Sequence, residues 1–114
     1  MTESGSKTLD FNYKRRKTWP VRVGGVMIGG DNPVRLQSMT STSTMDTEGS
    51  VAQIKRIADA GAEIVRLTAQ GVREAENLGE ISARLRTEGY DVPLVADIHF
   101  NPRAALAAAS RVEK

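Results

Sequence analysis

Apolar positions along this chain recur in two rhythms. Short runs at residues 34–40, 63–68 and 94–99 read as buried strands, and each is followed by apolar residues returning every three or four positions. The first helical stretch starts at Asp46 or Thr47, buries Val51, Ile54, Ile57 and Ala58, and ends at Gly61. The second carries Val72, Ala75, Leu78, Ile81 and Leu85 and ends at Gly89. The third is alanine-rich and spans 104–112, behind an Asn101-Pro102 pair with the chemistry of an N-cap and first helical position. Ahead of these units, two three-residue apolar segments, 21–23 and 26–28, flank Gly24-Gly25 and predict a short hairpin.

The strand ends at Met39, Leu67 and Asp97 are 28 and 30 residues apart, the repeat of successive βα units with parallel strands. The fold class is therefore α/β: an N-terminal β-hairpin followed by three βα units. Such units build either an incomplete (β/α)8 TIM-type barrel, whose closed form takes about 250 residues, or a small open sheet. Residues 1–10 have almost nothing to bury and predict a disordered tail that Phe11 and Tyr13 anchor. Residues 11–114 form the structured part.

Composition narrows the class. The 114 residues are 39% hydrophobic and 26% charged, which suits one soluble globular domain, and no apolar run is long enough to span a bilayer or to act as a secretory signal. There is no cysteine, so neither disulfides nor thiolate metal ligands come from this chain, and a cytoplasmic setting is weakly favoured. The net charge of +2 is uneven: residues 1–23 carry +4 and the remainder −2. This basic arm is brief and belongs to no nucleic-acid module, so no nucleic-acid partner is expected.

The candidate chemistry sits where strands end. Alternation puts Val95, Asp97 and His99 on one face, so a carboxylate and an imidazole emerge together at the rim that binds ligands in parallel α/β folds. Arg66 lies within an otherwise apolar strand on the face of Ile64 and Thr68. A guanidinium there needs either an anionic ligand or a salt bridge to Asp97, and the two are compatible. Gln37, Ser38, Met39 and Thr40 occupy the matching strand end, where hydroxyls serve a ligand or an ordinary turn. Gly24-Gly25 and Gly29-Gly30 read as turns rather than a phosphate loop, because neither opens a helix. No nucleophile with an adjacent base and no metal-ligand spacing stands out, so no catalytic or metal residue is assigned.

Several linked motifs carry a family resemblance. Arg15-Arg16-x-Thr18, Gly29-x-x-Asn32-Pro33-Val34-x-x-Gln37-Ser38-Met39-Thr40, the segment 60–68 and the segment 93–102, which includes Asp97-Ile98-His99-Phe100-Asn101-Pro102, occur in order and at matching spacing. Together they resemble the N-terminal part of the barrel domain of the 4-hydroxy-3-methylbut-2-enyl diphosphate synthase family, over residues 11 to 114.

The resemblance implies an oxidoreductase of isoprenoid biosynthesis by the methylerythritol phosphate (non-mevalonate) route. Such an enzyme opens 2-C-methyl-D-erythritol 2,4-cyclodiphosphate reductively, with loss of water. It implies a substrate site at the carboxyl rim of a (β/α) barrel, with Arg66 and His99 contacting the diphosphate region and Asp97 as a rim acid. It further implies a [4Fe-4S] cluster on a separate domain of a homodimer, and reduced flavodoxin or ferredoxin as electron donor. The cluster's ligands are absent from this chain, which has no cysteine, so the 114 residues alone are expected to be a catalytically inactive fragment. The competing readings are another (β/α) barrel, such as a pterin-binding synthase, and a non-catalytic open-sheet binding module.

Overall fold

A computed structural model describes residues 16–114; the tail expected at 1–10 and its anchors Phe11 and Tyr13 lie outside the described residues. The elements run β1 (Val21–Val23), β2 (Val26–Ile28), β3 (Gln37–Met39), α1 (Thr47–Asp59), β4 (Ile64–Thr68), α2 (Val72–Thr87), β5 (Leu94–Asp97) and α3 (Pro102–Ala109). β1 and β2 pair antiparallel through a turn in which Gly24 takes φ +58°, where a side chain would also press on Pro93. The main sheet is parallel, in the order β3-β4-β5.

The two faces of this sheet differ. Val65, Leu67 and Leu94 point into one continuous core with Val51 and Ile54 of α1, Ala75, Leu78, Ile81 and Leu85 of α2, and Ala104 and Ala108 of α3. Every stripe residue expected on α1 and α2 is buried in this core or packed against it, apart from the half-buried Val72. The opposite face carries Gln37 and Met39 of β3, Ile64, Arg66 and Thr68 of β4, and Val95 and Asp97 of β5. Among the described residues no helix contributes to the core from that side, as one face of a barrel wall requires and an open sheet covered on both sides does not.

Side-chain hydrogen bonds tie the ends together. Arg35 donates through Nε to the Met27 carbonyl (2.8 Å) and through Nη1 to Glu63 Oε2 (3.0 Å), while Glu63 Oε1 accepts from Leu36 N (3.0 Å). The hairpin is thereby clipped to the start of β4. Asp46 caps α1 by accepting from Gly49 N (3.0 Å), and a Cβ at Gly49 would collide with that carboxylate. Asn101 caps α3 by accepting from Ala104 N (3.2 Å), with Pro102 at the first helical position.

Three elements differ from the sequence expectation by more than one residue. β3 covers three residues rather than seven, because β4 begins opposite Gln37 and earlier residues have no strand to pair with; Val34 and Leu36 stay exposed. β5 ends at Asp97, so His99 stands two residues beyond the strand. α3 starts at Pro102, ahead of the expected Ala104, and stops at Ala109 because the chain turns back along β5. There Leu94 N donates to Glu113 Oε1 (2.9 Å), Lys114 N donates to Leu94 O (3.2 Å) and Lys114 O accepts from Ala96 N (2.8 Å). The last two bonds are a parallel bridge, so Lys114 extends the sheet past β5.

Candidate functional site at the carboxyl rim

The three charged or titratable residues singled out from the sequence meet at the carboxyl end of the parallel strands. Register places Arg66 opposite Val95 and Thr68 opposite Asp97, so Arg66 and Asp97 are diagonal neighbours on the open face. Asp97 Oδ2 lies 3.6 Å from Arg66 Nε, and Asp97 Oδ1 lies 2.8 Å from His99 Nε2. The carboxylate is thus bracketed by the guanidinium and the imidazole. The salt bridge weighed against a ligand at Arg66 is present, but it leaves much of the guanidinium unused. Among the described residues Nε is buried without a hydrogen-bond partner, and Nη2 donates to Met39 Sδ at 3.7 Å.

Exposure grades across the trio. The side chain of Asp97 is 20% exposed, that of Arg66 41% and that of His99 64%. A shielded acid therefore sits beneath a guanidinium and an imidazole that reach solvent, and the guanidinium's planar donors are suited to receiving an anion. The chain beyond His99 is strained: Phe100 takes φ +56°, a left-handed conformation unfavourable for a bulky side chain, and its ring is fully exposed.

The loop after β3 contributes a network that sequence reasoning missed. Gln53 of α1 accepts from Ser41 N (2.9 Å), Thr42 N (3.1 Å) and Thr42 Oγ1 (3.0 Å) through Oε1, and donates through Nε2 to Ser41 Oγ (2.9 Å). Asn77 of α2 donates to Thr44 O (2.7 Å), and Thr44 Oγ1 donates to Thr68 O. A lone glutamine or asparagine on a helix has no periodic signature, so only the fold reveals these contacts. Of the polar residues noted at 37–40, Thr40 is buried, and its hydroxyl has no partner among the described residues. Among those residues, no group of three or more His, Cys, Asp or Glu side chains is placed to hold a metal, and no helix is long and apolar enough to cross a membrane.

Comparison with known proteins bears on the fold and the family. The family model described as the GcpE TIM-barrel domain matches residues 18–114. The 4-hydroxy-3-methylbut-2-en-1-yl diphosphate synthase (flavodoxin) of Bacteroides thetaiotaomicron is 64% identical over 104 residues, covering 91% of this chain and 17% of that protein. Those of Porphyromonas gingivalis and Leptospira interrogans are 60% and 52% identical over the same length, which is 18% and 16% of each relative. The chain thus spans about a sixth of the length of the curated relatives it matches. With a barrel-type βα sheet, one helix-free face and a family match over nearly all the described residues, the chain belongs to the GcpE family, as a stretch of its TIM-barrel domain.

Proposed function

We propose that this chain forms part of the substrate site of a 4-hydroxy-3-methylbut-2-enyl diphosphate synthase. That enzyme is the iron-sulfur oxidoreductase converting 2-C-methyl-D-erythritol 2,4-cyclodiphosphate to the allylic diphosphate of isoprenoid biosynthesis. The observation that carries the reading is the bracketing of Asp97 by Arg66 and His99 at the carboxyl rim, in a chain 64% identical to a protein of that name. In this reading Arg66 supplies fixed positive charge and planar donors to the diphosphate. His99, exposed beside the carboxylate, adds a ring N–H, and Asp97 holds the guanidinium and the imidazole in place.

The reductive chemistry needs electrons that these side chains do not carry. A [4Fe-4S] cluster would supply them one at a time, yet this chain has no cysteine and so no thiolate to hold one; its ligands belong to residues outside this chain. Reduced flavodoxin, which the relatives' names include, or ferredoxin would feed the cluster, in a cytoplasmic homodimer whose other domain faces this rim. The role of these residues here is to bind and orient the diphosphate.

Calorimetric titration of the 114-residue chain with the cyclic diphosphate tests the reading. Binding that Arg66→Met weakens about tenfold or more supports it. Equal affinity of the two proteins would refute a diphosphate role for Arg66. The chain alone, given substrate and a reductant, is expected not to turn over.

A further inference from the structure

A methionine lies against the Arg66 guanidinium. Met39 and Arg66 are register partners on the parallel strands β3 and β4, so their side chains leave the sheet on the same face. Nη2 of Arg66 donates to Met39 Sδ at 3.7 Å, and Met39 is 39% exposed, within reach of small solutes. Met45, ahead of α1, is open to a similar degree and Met27 is half-buried in β2, but the sulfur that accepts from Arg66 is that of Met39.

The chemistry of that sulfur changes the guanidinium's surroundings. A thioether is a weak acceptor and holds the N–H loosely. Hydrogen peroxide transfers one oxygen atom to a sulfur lone pair: the O–O bond breaks, an S–O bond forms, the sulfur loses two electrons to the peroxide, and water leaves. The sulfoxide oxygen is a strong dipolar acceptor one bond from the sulfur that Nη2 already touches. With Nε buried, Nη1 and Nη2 are the pair with which the guanidinium can grip an anion, and the sulfoxide competes for Nη2. Met39 stands outside the buried core, so a polar group there costs the fold little.

We propose that Met39 is a redox-sensitive modification site, whose reversible oxidation by peroxide to the sulfoxide captures the Arg66 guanidinium and weakens anion binding at the rim. The effect on binding rests on the reading of the Arg66 rim as a diphosphate site. The capture of Arg66 rests only on its contact with Met39.

The test treats the chain with hydrogen peroxide, locates the sulfoxides by peptide mass spectrometry, and follows the Arg66 side-chain N–H resonances and the Kd for inorganic pyrophosphate. Oxidation at Met39 is expected to shift the Arg66 resonances and raise Kd about tenfold, the share of one charge-assisted hydrogen bond, with the urea midpoint unchanged. Methionine sulfoxide reductases with a dithiol reductant should reverse both changes. Met39→Leu should show the same Kd before and after peroxide, and Met45→Leu should respond as the parent does. A parent that carries the sulfoxide at Met39 and binds pyrophosphate as tightly as before overturns the proposal and leaves the diphosphate reading standing. Equal loss of affinity in Met39→Leu, or a Met39 that stays reduced while Met45 oxidises, overturns it too. If the untreated chain binds no pyrophosphate, the diphosphate reading falls and the Arg66 resonances decide: a shift in the parent but not in Met39→Leu upholds the capture, and no shift refutes it.

Discussion

Arg66 and Asp97 sit diagonally on neighbouring parallel strands, with Nε 3.6 Å from Oδ2 and no hydrogen bond closing the gap. The guanidinium is braced by the carboxylate but not consumed by it. Because the Arg66 side chain is two-fifths exposed, the pair contributes little to folding, less than about 1 kcal/mol. Arg66→Met should therefore leave the urea midpoint nearly unchanged while removing most of the pyrophosphate affinity. A variant that loses stability and binding in step would mean that Arg66 serves the fold.

The core makes the opposite prediction. Leu67 and Leu78 are fully buried between the sheet and α2. Truncating either to alanine leaves a cavity and should cost about 2–5 kcal/mol. Urea unfolding of each variant checks this, and a cost below about 1 kcal/mol would contradict the packing described.

At the start of α3, Asn101 is both a helix cap and a near neighbour of His99. Asn101→Ala removes the bond to Ala104 N and should cost about 1 kcal/mol, with fraying confined to the first turn of α3. Hydrogen exchange at Ala104 and Ala105 reads this directly. Faster exchange spread through α2 as well would mean that the cap supports more than its own helix.

Glu63 sets an acid limit on the hairpin. Its carboxyl is held below the ordinary carboxylate range, first by the Leu36 N–H it accepts and then by the Arg35 guanidinium. A carboxyl depressed in the folded state stabilises it above the unfolded value of 4.5, and this contribution is lost as pH falls through the folded value. The parent should thus lose more stability than Glu63→Gln when the pH is taken from 6 to below 4. Parallel acid profiles for the two proteins would show that Glu63 is not coupled to folding.

Much of this was legible in the residues because it is written in periods and caps. The α2 stripe from Ala75 to Leu85, the Asp46 and Asn101 caps and the Gly24 turn each have a local physical cause, and each occurs where the sequence places it. The meeting of Arg66 and Asp97 was legible too, since strand alternation and the βα repeat carry them to one face, whereas His99 reaches Asp97 from two residues beyond the strand rather than by the expected alternation. Lengths were less so. The extent of β3 depends on where β4 begins, and the end of α3 on Glu113 and Lys114 returning to β5, both contacts between distant residues. The Gln53 clamp was illegible for a related reason: a helix-borne amide meeting a loop 11 or 12 residues earlier leaves no periodic trace.

The most direct measurement of the central claim is turnover by a chimera in which residues 18–114 of this chain replace the matching stretch of the Bacteroides thetaiotaomicron synthase. The chimera, given reduced flavodoxin, is expected to convert the cyclic diphosphate, and its Arg66→Met form to show a KM raised about tenfold or more. A chimera that turns over equally well with methionine at position 66 would contradict the account.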